Sequence, residues 1–165
     1  MKKYCDFIKK AEEHGVEDAK IISTTTIEVG HWVRWKCRYG CDDYGERLTC
    51  PPHTPPVEET KKVMGEYRNA LLLHGHTDPE MQEIVAILER HIFLAGYPKA
   101  LGLACGPCSK CDECGDTCKK PEKARPSMEA VGIDVYNTVW ENGYDIEVKK
   151  NKEECPDYFA LVLIE

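Results

Sequence analysis

Five cysteines stand at Cys105, Cys108, Cys111, Cys114 and Cys118, and no other feature restricts the chain as tightly as this run. Within it, Cys108-x2-Cys111-x2-Cys114-x3-Cys118 has the spacing of bacterial ferredoxin loops, in which short turns let successive thiolates wrap a four-iron cluster. Two details depart from that pattern. Proline comes at Pro121 rather than directly after the last cysteine, and the run has no second copy. Zinc sites more often pair two Cys-x2-Cys units across a longer gap, so the spacing favours iron–sulfur over structural zinc, with disulfides or free thiols last.

A second group, Cys37-x3-Cys41-x8-Cys50, is followed by Pro51-Pro52. Three thiolates are one short of a closed site, so a fourth ligand must come from Cys105, Cys118, a histidine, solvent or substrate. The eight cysteines 37, 41, 50, 105, 108, 111, 114 and 118 match two [4Fe-4S] clusters in number, but one cluster plus one zinc satisfies the count equally. Cys5 and Cys155 stand alone and read as packing residues. His53 lies beside Cys50 but reads as a solvated loop histidine, while His74 and His76 read as turn residues without a role. Lys110, Lys119, Lys120, Lys123 and Arg125 supply cations that offset the negative charge of a thiolate-bound cluster.

The surroundings of these cysteines set the compartment and the partners. The ten cysteines among 165 residues fall below the density of disulfide scaffolds. The N-terminus lacks an apolar signal segment and the longest apolar run, near 160–164, is too short for a membrane span, so a cytoplasmic chain with reduced thiols is expected. Lys and Arg number 22 against 29 Asp and Glu, a net charge of -7 that repels a phosphate backbone. Nucleic acid and membrane are therefore not expected partners, and an acidic surface suits docking on a basic patch of a redox partner protein.

The expected fold is mixed α/β: one domain over 1–165, with a small sheet flanked by helices and two cysteine-rich loops at strand ends. Apolar spacing predicts a helix over 4–14. Alternation of Ile27, Val29, His31, Val33, Trp35 and Cys37 with more polar neighbours predicts a strand or strand pair over 20–37, delivering Cys37 into a loop. Trp32, Arg34, Trp35, Lys36 and Arg38 then form a basic and aromatic patch, or simply an amphipathic edge. Gly40, Gly45 and four prolines make 38–56 irregular, and a helix begins near Val57. Residues 70–75 read as a buried strand. Asp78 as N-cap and Met81, Ile84, Val85, Leu88 and Ile92 predict a helix to Gly96, and 100–104 completes a strand-helix-strand unit. Short helices follow at 127–130 and 135–140, and 158–164 is the best strand.

Two stretches resemble a known family. Cys37-Arg38-Tyr39-Gly40-Cys41-Asp42-Asp43-Tyr44-Gly45 with Cys50-Pro51-Pro52, and Cys108 through Cys118 with the segment from Pro121 to Val135, are similar to the prokaryotic predicted metal-binding proteins grouped as a domain of unknown function, DUF2284. The resemblance implies metal binding by Cys37, Cys41, Cys50, Cys108, Cys111, Cys114 and Cys118, iron–sulfur as the favoured species, and anaerobic bacteria or archaea as hosts. It implies no reaction. Cys105 departs from the family pattern of a small residue there. Residues 121–135 look like a cap holding the cluster loop on the sheet, with Arg125 and Glu129 as candidates for an internal ion pair or for contact with an anion. Three functions fit: a small electron-transfer protein or adaptor, an enzyme using a three-cysteine cluster with an open iron, or a structural zinc module.

Overall fold

Ala70, Leu71, Leu72 and Leu73 are all fully buried, which a strand achieves only when both of its faces are covered. Successive side chains point to opposite faces, so Leu71 and Leu73 meet Phe7, Ala11, Val85, Leu88 and Ile92 on one side. Ala70 and Leu72 meet Met128, Val131, Ile133 and Val139 on the other. The result is a sheet between two layers.

The computed structural model describes residues 2–151 and 156–165. In chain order the elements are α1 (Lys2–Glu13), β1 (Asp18–Ser23), α2 (His31–Gly40), α3 (Val57–Met64), β2 (Asn69–Gly75), α4 (Asp78–Leu94), β3 (Leu101–Leu103), α5 (Val135–Glu141) and β4 (Tyr158–Leu163). Single 3-10 turns lie at Thr24–Thr26 and Glu129–Val131. The strands form one antiparallel sheet in the order β1-β2-β4-β3. The expected mixed α/β architecture is therefore what the chain adopts. Among the described residues no helix is long and apolar enough to cross a membrane.

The strand-helix-strand unit is present but split. β2 and β3 are each antiparallel to β4, so they run in the same direction with β4 inserted between them. α4 covers the unit with Met81, Ile84, Val85, Leu88 and Ile92, three or four residues apart. Its N-cap is Thr77, and Asp78 is already its first residue, so the helix begins one position earlier than the sequence suggested. Gly102 in β3 lets the helix approach closely: a Cβ there would stand 2.5 Å from Val85 Cγ1.

The strand expected over 20–37 is a correction. Only Asp18–Ser23 is extended as a strand, and His31–Gly40 is helical. The alternation misleads because Val33 alone of that set is buried in α2, while Trp35 is 70% exposed and obeys no inward period. Helix α2 instead docks from its N-terminal end. Gly30 N–H bonds Gly132 O at 2.9 Å, and Val29 bridges Ile133. Gly132 itself has φ 91°, a left-handed backbone, and a Cβ there would meet Val57 Cγ2 at 2.8 Å, so both turn and packing require glycine.

Candidate metal centre

Helix α2, not a strand, delivers the first cysteines. Cys37 lies in its last turns, Cys41 is its C-cap, and Cys50 follows in the loop. That loop is stitched to itself by Tyr44 N to Cys41 O (3.3 Å), Gly45 N to Pro51 O (2.8 Å) and Cys50 N to Arg47 O (2.9 Å). It is stitched to the fold through the 3-10 turn at Glu129–Val131. The Thr54 hydroxyl and Arg34 Nη1 donate to Ala130 O at 2.6 and 3.1 Å, and the Thr60 hydroxyl donates to Val131 O at 2.7 Å. Cys37 Sγ lies 4.0 Å from Glu129 O.

These contacts gather Cys37, Cys41 and Cys50 on one cavity of about 400 Å³, shared with Trp32, Tyr136 and Glu129. The size lies in the range of small-molecule sites. Burial pushes the Cys50 thiol up to about 11, assisted by Asp43, Cys41 and Cys37. Burial, then Glu129 and Cys41, raise Cys37 as well. Without metal both are neutral thiols at neutral pH, and a bound cation must displace their protons. Glu129 is raised by burial too, only partly offset by hydrogen bonds from its own backbone amide and Ser127. Its Oε2 is sealed from solvent without a hydrogen-bond partner. Glu129 therefore does not pair with Arg125, as the sequence allowed. Arg125 instead makes a two-pronged pair with Glu89, Nε to Oε2 and Nη2 to Oε1, each at 2.6 Å.

The second cysteine loop leaves the end of β3 and returns beside it. Ala104 N bonds Pro126 O at 2.7 Å and Met128 N bonds Ala104 O at 3.0 Å, closing the loop at its base. Buried Gln82 of α4 holds one arm: its Nε2 donates to Cys105 O (3.1 Å) and Pro107 O (2.7 Å), and its Oε1 accepts from Ser109 N and Oγ at 3.2 Å each. Glu83 takes Lys110 at 2.8 Å and Lys123 at 3.3 Å. Two of the cations expected to face the cysteines thus also anchor the loop to α4.

Cys108, Cys111, Cys114 and Cys118 line a second, smaller cavity, closed on one side by Leu48 and Thr49 of the first loop. Thr49 Oγ1 is buried there without a partner. Arg47 Nη1 ties the loops together by donating to Cys111 O at 2.9 Å and Asp112 O at 3.0 Å. Thr49 lines one cavity and its neighbour Cys50 the other, so the two centres sit side by side.

The structure thus brings the predicted ligands together as three and four. Cys105 lines neither cavity and is buried with the apolar side chains between the sheet and helices α1 and α4. Cys5 is exposed on α1, and Cys155 lies outside the described residues. His53 turns to Gly45 O at 3.2 Å, and His74 and His76 line neither cavity. Sequence reasoning missed Gln82, Arg47 and Thr49. Arg47 and Thr49 lie between Cys41 and Cys50, a signal that was available; nothing local marked Gln82.

Three thiols line one cavity and four the other, with an orphaned polar atom in each, and thiols are donors suited to soft transition metals. The family of predicted metal-binding proteins DUF2284 matches residues 20–164. The chain belongs to this family. Both cysteine groups fall inside the matched segment, and only α1, the approach to β1 and its first two residues lie before it. No curated protein and no solved structure matches the chain.

Proposed function

We propose that this member of the metal-binding family is an iron–sulfur redox protein with two adjacent centres, one for relaying electrons and one open to a small ligand. Cys108, Cys111, Cys114 and Cys118 would hold the first, and Cys37, Cys41 and Cys50 the second. The observation that carries the reading is the side-by-side placement of the cavities, with consecutive residues Thr49 and Cys50 on their two walls. Bound there, iron–sulfur clusters would supply one-electron transfer and, at an iron lacking a fourth cysteine, Lewis acidity.

The protein's own residues do the rest. The four-cysteine loop, clamped by Gln82 and Glu83, fixes thiolates at the surface, where an external donor can approach. Exposed Trp35 and Tyr39, with ring centroids 6.3 Å apart beside the Cys37 end of α2, suit a landing surface for a redox partner protein. Trp32 and Tyr136 line the larger cavity, and Glu129 places a carboxyl oxygen with no other partner there beside the three thiols. Reaction chemistry at that cavity, rather than relay alone, is favoured by its volume of about 400 Å³. A reducing, oxygen-poor compartment of a prokaryote is the setting such thiols require.

Anaerobic purification with iron and acid-labile sulfide analysis, followed by electron paramagnetic resonance of the reduced protein, tests the reading. Two clusters this close should give a reduced spectrum broadened and split by mutual coupling. A colourless anaerobic preparation with stoichiometric zinc, or a single uncoupled cluster, would overturn it.

A further inference from the structure

The end of β2 carries a second constellation of donors, built by strand register from residues other than the cysteines. Asp18 of β1 stands opposite His74 of β2, and Glu17 N–H bonds His74 O at 2.9 Å. On the other side of β2, Gly75 stands opposite Tyr158 of β4, which carries the register on to His76 and Asp157. Side chains two residues apart share a face of a strand, so His74 and His76 project together. Their ring centroids are 5.4 Å apart. Gly75 between them is kept small by Met81, whose Sδ would lie 2.7 Å from a Cβ there.

Ligand atoms of Glu17, His74 and His76 all lie within 4.8 Å of one another. His76 Nε2 contacts Glu17 Oε2, and His74 Nε2 bonds Asp157 Oδ1 at 2.9 Å. The His74 ring is stacked on Phe159, centroids 4.7 Å apart at 15°, and is 15% exposed, so its orientation is set before any ligand arrives. Lys149 Nζ, 3.3 Å from Asp157 Oδ2, balances the orienting carboxylate. Glu17 and His76 are about half exposed, at 52% and 46%, which leaves an entry path from solvent.

We infer that Glu17, His74 and His76 form a mononuclear site for a divalent transition ion of borderline softness, of the zinc class, with Asp157 as a positioning residue for His74. The donor chemistry argues for this class. Two neutral imidazoles and one carboxylate suit such ions, and a fourth position stays open to water. A carboxylate hydrogen-bonded to a ligating imidazole fixes its tautomer and raises its basicity.

The test is isothermal titration of Zn2+ into the anaerobically isolated protein, with zinc-edge anomalous diffraction to locate the ion. Wild type should take up one equivalent whose anomalous peak lies between Glu17, His74 and His76. His76→Ala and Glu17→Gln, both on half-exposed side chains, should each weaken that equivalent by about 100-fold or more, and Asp157→Asn by about 10–100-fold. His53→Ala should change nothing. Zinc found only at the cysteine loops, no peak at this end of the sheet, or unchanged affinity in His76→Ala and Glu17→Gln would overturn the assignment. Because the peak is read by position, the outcome does not depend on what the cysteines hold.

Discussion

Arg47 reaches from the first cysteine loop to the carbonyl of Cys111 in the second, 2.9 Å away, and extends the same Nη1 to Asp112 O. This ties the two cavities together through a side chain as well as through the shared backbone at Thr49 and Cys50. A hydrogen bond from a charged donor contributes about 1.5–3 kcal/mol. Arg47→Ala should therefore lower the unfolding free energy measured in denaturant by an amount in that range. It should also change the coupling between the centres in the reduced spectrum, with Arg47→Lys restoring part of both. Unaltered stability and coupling in Arg47→Ala would mean that other contacts set the placement.

Removing single thiols should separate the two centres. Cys111→Ala is expected to lose the metal of the four-cysteine cavity while retaining that held by Cys37, Cys41 and Cys50; Cys50→Ala should do the reverse. Cys5→Ala, on an exposed face of α1, should lose nothing. Metal and sulfide per chain measure each case, and equal losses from Cys111→Ala and Cys5→Ala would sink the assignment of ligands.

Glu89 binds Arg125 at both oxygens and also accepts Gly102 N–H at 2.6 Å, with both ionic partners 17% exposed. Breaking one side of such a pair leaves a charge stranded. Glu89→Ala should cost about 3–5 kcal/mol in chemical denaturation. It should also speed proteolytic cleavage in the second cysteine loop, whose returning arm Arg125 anchors. A loss under about 1 kcal/mol would show that solvent already serves Arg125.

The raised Cys50 thiol gives the metal-free protein a defined pH response. Its folded value near 11 lies above the ordinary 9.0, so the unfolded chain ionises first as pH rises. The associated stability is complete below pH 9 and disappears between about pH 9 and 11, on the order of 2 kcal/mol. Urea midpoints of metal-free wild type should fall across that window more steeply than those of Cys50→Ala. Parallel curves would falsify the assignment of the effect to this thiol.

Much of the fold was written locally. Leu71 to Leu73, the three-four spacing from Met81 to Ile92, and the apolar stretch ending in Leu163 each needed only their own period to be recognised as β2, α4 and β4. The grouping of cysteines into three and four was equally plain, since short spacings confine thiols to one loop. What escaped was set by distant partners. Residues 27–37 alternate like a strand, yet His31–Gly40 is a helix, docked where Gly132 receives Gly30 and the Ala130 carbonyl receives Arg34. Arg125 finds Glu89 across 36 residues rather than Glu129 across four. The convergence of Glu17, His74 and His76 is a matter of register, invisible until β1, β2 and β4 are laid side by side.

The insertion of β4 between β2 and β3 imposes an order of events. Until residues 158–163 arrive, the strand that launches the second cysteine loop has no neighbour to fix its distance from the rest of the sheet. The thiols of that loop must consequently wait, uncommitted, while the last third of the chain is made. Any metal that this loop takes up is thereby loaded at the final stage of folding, and a delay there falls on the sulfurs first.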